Sequence, residues 1–371
     1  MTAPPNAIEW ADPARASAFS SWLDGIAGAH QLNAQSLRLA SADASFRRYF
    51  RVDTAGVDTC IIMDAPPDKE NCTPFVEIAG LMAQAGLTAP RVLAWDAAQG
   101  FMLLSDLGTQ TMLEVISPPP AVTAIAEPTA AHHALYMDAV ETLVRWQLSS
   151  RPGVLPLYDD ALLSRELALF PEWYVAGHRG LTLDAAAQAT LAGAFEQIKA
   201  SNLQSLDAGR VFVHRDFMPR NLMANAAPAD PAAAASPTRL GVLDFQDAVY
   251  GPITYDIASL MRDAFLSWEE DFVLDVTVRY WQKARAAGLP VGDDFGEFYR
   301  AVEWMGLQRH FKVLGIFARL TLRDGKPRYL ADTPRFIKYA RNTAARYRQL
   351  GPLMVLLDQI EGNETRVGYT F

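Results

Sequence analysis

The chain has 371 residues, enough for two lobes with cores of their own. Its formal net charge of −9 argues against nucleic acid or an anionic membrane as the main partner, though it leaves room for a local basic pocket. No apolar run approaches the ~20 residues of a membrane span, and the first residues lack a basic region followed by an apolar core. Cys60 falls in an apolar strand pattern, and with Cys72 as the only other cysteine it reads as a buried free thiol. The expectation is a cytoplasmic protein with no nucleic acid, no membrane and no evident protein partner.

Phe19, Trp22, Leu23 and Ile26 repeat at helical spacing, so the first 30 residues read as helix. A strand-rich block follows. Leu37–Leu39 leads into a turn over Ser41–Ser45, and Phe46–Val52 leads out of it. Thr54, Ala55 and Gly56 turn the chain again into a third strand, Thr59–Met63. Phe75–Gln84 reads as helix, closed by Gly86. Val92–Trp95 and Phe101–Leu104 are two further strands. Ser105, Asp106, Leu107 and Gly108 read as a hinge into a mostly helical remainder. Ser117–Thr129 holds four prolines and reads as an exposed connection. Helices are expected over Tyr136–Leu148, Ile257–Phe265, Phe272–Ala286 and Phe298–Leu320.

The sharpest signal lies between the first and second of these helices. Val211–Val213 is a short apolar strand running into His214-Arg215-Asp216, with Asn221 five residues after Asp216. A second apolar run, Leu240–Leu243, ends on Asp244-Phe245-Gln246-Asp247. Phosphoryl transfer from ATP calls for a carboxylate that takes the proton of the attacking hydroxyl and oxygen ligands that hold Mg²⁺ on the phosphates. Asp216 suits the first role, and Asn221 and Asp244 suit the second. The Ala/Pro-rich stretch Ala226–Thr238 between them reads as a solvent-exposed insertion.

These pieces resemble the aminoglycoside phosphotransferase-like branch of the protein-kinase-like fold. Within it they are most similar to bacterial anomeric sugar kinases. The resemblance rests on Ser41–Arg51, Met63–Pro67, His214–Asn221 and Asp244–Asp256. It implies an α+β, bilobal fold: an antiparallel-sheet N-lobe over residues 1–104 and a mostly helical C-lobe over 105–371. It also implies an ATP- and Mg²⁺-dependent kinase of the anomeric hydroxyl of N-acetylmuramate and N-acetylglucosamine, acting in cell-wall recycling. A kinase of another small alcohol (an aminoglycoside, choline or another sugar) and a catalytically silent nucleotide-binding scaffold remain the alternatives.

Further site residues follow from the same resemblance. Ser41, Asp43, Ala44, Ser45 and Phe46 would cover the ATP phosphates, and Ser105, Asp106 and Leu107 would meet adenine. Met63 stands where protein kinases place a lysine on the third strand. Arg48, on the opposite strand face from Arg47 and Arg51, is the favoured substitute. Gln246 and Asp247 are expected at sugar hydroxyls or the acetamido group. Arg262 and Arg309 are expected at an anionic acceptor, with intramolecular pairing as the alternative. Asp256 is assigned to structure, accepting main-chain N–H groups of the catalytic loop.

Overall fold

Alternating apolar residues between Leu32 and Ser105 pair into one antiparallel sheet in the computed structural model, which describes residues 8–42, 46–117, 127–224 and 239–363. In chain order the elements begin α1 (Pro13–Ala27), β1 (Leu32–Ala42), β2 (Arg48–Thr54), β3 (Thr59–Asp64), α2 (Thr73–Gln84), β4 (Val92–Asp96), β5 (Phe101–Ser105) and α3 (Met112–Ile116). There follow α4 (Ala130–Leu148), α5 (Asp160–Leu169), α6 (Ala185–Gln204), β6 (Arg210–Val213), β7 (Leu222–Met223), β8 (Gly241–Val242) and β9 (Val249–Pro252). The chain closes with α7 (Thr254–Met261), α8 (Glu270–Ala286), α9 (Phe295–Leu322), α10 (Thr333–Arg346) and α11 (Gly351–Glu361). Among the described residues no helix is long and apolar enough to cross a membrane.

Two compact units emerge: Met1–Met112 with Asn221–Asp247, and Leu113–Arg220 with Ala248–Phe371. This differs from a single cut after residue 104. The β7–β8 hairpin joins the first unit because main-chain bonds stitch it there. Val242 N donates to Thr88 O at 2.8 Å, and Ala224 N donates to Gln110 O at 2.9 Å. The connections expected over Ser117–Thr129 and Ala226–Thr238 fall largely or wholly outside the described residues.

In the first unit the strand order is β1-β2-β3-β5-β4. Register partners share a face, so Phe50, Val52, Cys60, Ile62, Leu103 and Phe101 line one side, and α1 covers it with Phe19 and Leu23. The buried Cys60 and the half-buried Cys72 are both free thiols.

The second unit is built around α9, which is buried along most of its length among α5, α6, α7 and α10. Past Leu169, α5 runs into a π-helical segment, Phe170–His178. Pro171 has no N–H to give and would clash in a regular turn, and the wider helix accommodates it. Gly315 of α9 meets this place: a Cβ there would stand 2.4 Å from the Leu169 main chain. β6 pairs with β9 and delivers the chain to His214.

Candidate active site

The catalytic-loop candidate starts where β6 ends. Asp256, in the first turn of α7, is fully buried and accepts from the main-chain N–H of His214 at 2.7 Å and of Arg215 at 3.0 Å. This is the structural role expected of it. Burial pushes its pKa up to about 6, against the pull of His214 and the two N–H bonds. His214 is buried, and its Nδ1 accepts from the Asp216 N–H at 3.2 Å. Arg215 adopts φ 77°, a conformation costly for a residue with a side chain. Its guanidinium is held at 2.6 Å by Glu166 of α5. Asp216 follows, half-buried, and feels the positive charges of Arg215 and Lys312.

Glu166 is the functional support that sequence reading missed. It is 4% exposed and gathers Arg215, Lys312 at 3.0 Å and the Tyr158 hydroxyl at 2.5 Å. Burial alone would raise its pKa, but Lys312 and Arg215 outweigh it and hold the carboxyl down at about 2. Lys312 also donates to the Tyr255 hydroxyl at 3.0 Å. Only the helical spacing of the α5 apolar residues hinted that Glu166 points inward.

The metal-loop candidates belong to the first unit. Asn221 and Asp244 are brought together: Asn221 Nδ2 donates to Asp244 Oδ2 at 3.3 Å, and the Leu243 N–H donates to Asn221 O at 2.9 Å. Asp244 also has a positive φ, 61°. Phe245 anchors the turn, fully buried with its ring 4.8 Å from that of Phe75. Gln246 Nε2 donates to Asp244 Oδ1 at 3.0 Å, while its Oε1 is buried with no hydrogen-bond partner among the described residues. An Asp carboxylate, an Asn amide oxygen and an orphaned Gln oxygen form a hard donor set that fits Mg²⁺. Asp247 is exposed.

The nucleotide candidates are dispersed. Asp43, Ala44 and Ser45 lie outside the described residues, and Ser41 pairs with Tyr49 near the end of β1. Phe46 is exposed, and its N–H donates to Glu70 at 3.2 Å. The Asp106 carboxylate accepts from Arg51, from Thr59 Oγ1 at 2.6 Å and from the Gly108 N–H at 2.9 Å. Burial opposes its ionisation, yet these bonds lower its pKa. Ser105 Oγ accepts from the Arg91 N–H at 2.9 Å, and Leu107 packs with Met223 and Leu243.

Arg48, expected at the phosphates, is engaged within the sheet. It sits on the α1 face of the sheet, opposite Asp64 in register and on the other face from Met63, with its guanidinium on the fully buried Asp64 and 3.9 Å above the Trp10 ring. Arg15 binds the other oxygen of Asp64. The arrangement satisfies a buried carboxylate. The two acceptor arginines are also engaged or enclosed. Arg262 pairs with Glu270 at 2.8 Å. Arg309 is 2% exposed, stacked 5.4 Å from the Tyr255 ring.

A family profile described as the phosphotransferase enzyme family matches residues 36–293. The chain is 45% identical over 353 residues to the N-acetylmuramate/N-acetylglucosamine kinase of Pseudomonas aeruginosa, spanning 93% of this chain and 97% of that protein. It is 46% identical over 337 residues to the protein of the same name from Neisseria meningitidis, spanning 90% and 94%. In fold it is similar to an ADP-bound aminoglycoside phosphotransferase, with TM-score 0.54, 14% identity, and 87% and 98% of the two chains covered. The choline kinase of Cryptosporidium parvum matches with TM-score 0.57 at 10% identity, over 91% and 99%. This chain belongs to the phosphotransferase enzyme family.

Proposed function

We propose that the protein is an ATP-dependent kinase that phosphorylates the anomeric hydroxyl of N-acetylmuramate and N-acetylglucosamine. The observation that carries this reading is the near-full-length likeness to relatives bearing that name. Asp216 takes the proton of the 1-hydroxyl as that oxygen bonds to the γ-phosphorus. The bond from the γ-phosphorus to the β,γ-bridging oxygen breaks, and ADP leaves with that oxygen. Asp256 and Glu166 hold the Asp216 loop through its main chain and through Arg215.

Asn221, Asp244 and the Gln246 oxygen would hold Mg²⁺, which supplies charge neutralisation at the phosphates when bound. The main chain of Ser105–Leu107 serves the adenine edge, because the Asp106 side chain is already committed to Arg51 and Thr59. The loop from Ser41 to Phe46 serves the phosphates, and Asp247 the sugar hydroxyls. The cytoplasm, where ATP is supplied, is the site of action, and recycling of cell-wall sugars is the role.

An ADP-release assay over a panel of acceptors tests the reading. N-acetylmuramate and N-acetylglucosamine should both turn over, and glucose should be poor because buried partners of the acetamido group are left unpaired. Preference for kanamycin or choline would overturn it.

A further inference from the structure

Several of the second unit's half-buried arginines sit against a carboxylate: Arg215 on Glu166, Arg262 on Glu270, Arg335 on Asp332. Arg220 and Arg328 differ. Among the described residues neither has a carboxylate within ion-pair reach, yet both converge on one phenol. Arg328 Nη2 donates to the Tyr329 hydroxyl at 3.4 Å, and Arg220 hydrogen-bonds the same side chain. Burial alone would raise the Tyr329 pKa, but the two arginines outweigh it and bring it below the ordinary value. The patch is therefore locally positive.

Its bed is aromatic. Arg220 lies 5.0 Å from the Phe265 ring centroid and Arg328 lies 5.1 Å from that of Tyr329, while Phe317 and Tyr329 pack at 5.1 Å. Tyr329 is buried, and Arg328 is exposed at the rim. Two like charges held on one hydroxyl repel each other, and a single anion between them removes that cost. Arg220 also lies four residues beyond Asp216 on the same loop, which ties the patch to the candidate base.

We infer that Arg220 and Arg328 read the lactyl carboxylate of N-acetylmuramate, an inference that rests on the sugar-kinase reading above. N-acetylglucosamine lacks that group and uses the remainder of the pocket. Guanidinium forks match a carboxylate, and the aromatic bed limits how far they swing. Arg262 and Arg309, tied to Glu270 and enclosed against Tyr255, are thereby relieved of the task.

The test compares kcat/KM for N-acetylmuramate, its lactyl methyl ester and N-acetylglucosamine, with KM for ATP measured alongside. The parent enzyme should favour the acid over its ester. Arg328→Gln and Arg220→Gln should each lower kcat/KM for the acid by about 10- to 100-fold, the worth of a charge-assisted hydrogen bond. The ester and N-acetylglucosamine should fall by much less, and the preference for acid over ester should shrink. Equal losses for all three acceptors, or a raised KM for ATP with the preference intact, would overturn the assignment and point to Arg220 as a phosphate contact. If Arg220→Gln melts early, Arg328→Gln at the exposed rim decides alone. A parent enzyme inert towards both sugars would instead refute the substrate reading.

Discussion

Glu166→Gln removes one negative charge from a buried cluster that also holds Arg215, Lys312 and Tyr158. The shape is kept, but two cations lose their counter-charge where water cannot replace it. Breaking a buried ion pair from one side costs about 3–5 kcal/mol. The depressed Glu166 pKa, about 2 against an ordinary 4.5, corresponds to a similar figure of roughly 3 kcal/mol. At roughly 2–4 °C per kcal/mol for a unit of this size, the melting temperature at neutral pH should fall by on the order of 10 °C. Turnover should fall with it, because the Arg215 tether of the catalytic loop is lost. In the parent, a group with a lowered folded pKa contributes fully above its unfolded value. The Glu166 contribution should thus be complete above pH 4.5 and disappear as the pH falls towards about 2. Adding Lys312→Met to Glu166→Gln should recover part of the loss, since one stranded cation goes. Differential scanning fluorimetry and urea titration across pH read all three. A Glu166→Gln protein melting within about 2 °C of the parent at neutral pH would refute the reasoning.

Asp216→Asn keeps the side-chain shape and removes the proton acceptor, so kcat should drop by roughly 10²–10⁴ with ATP binding retained by calorimetry. Asp244→Ala should abolish turnover and weaken Mg²⁺-dependent ATP binding, and Asn221→Ala should raise the Mg²⁺ concentration needed for half-maximal rate. Unchanged Mg·ATP affinity in Asp244→Ala would remove it from the metal site. Arg48→Ala should cost about 1–3 kcal/mol of stability, because the buried Asp64 loses one of its two cations, while KM for ATP stays within about twofold of the parent, below the loss of one charged hydrogen bond. A large rise in that KM would restore Arg48 to the phosphates.

The local patterns carried much of this architecture. Period-2 runs placed the five strands of the first unit, and the spacing between His214 and Asn221 marked the candidate catalytic loop. Asp256 could be assigned from its place after the metal loop, and its bonds to the His214 and Arg215 main chain agree. What escaped depends on distant partners. Alternation put Arg48 and Arg51 on opposite faces, but no local signal said which face α1 would cover. Glu166 and Arg215 lie 49 residues apart, and only the packing of α5 against α9 brings Lys312 to the same carboxylate. Arg309 was expected at an anionic acceptor, yet α9 is enclosed on nearly all sides, so Arg309 and Lys312 are both core cations. The π-helical turn at Pro171 was invisible because its helical flanks look regular.

The anomeric position of transfer is the central claim, and phosphorus NMR of the product tests it most directly. With the parent enzyme, ATP, Mg²⁺ and N-acetylmuramate, the account predicts a single new sugar phosphate whose phosphorus couples to H1. The same signal should form with N-acetylglucosamine. Coupling to the H6 methylene protons, or no sugar phosphate at all while another alcohol is phosphorylated, would contradict it.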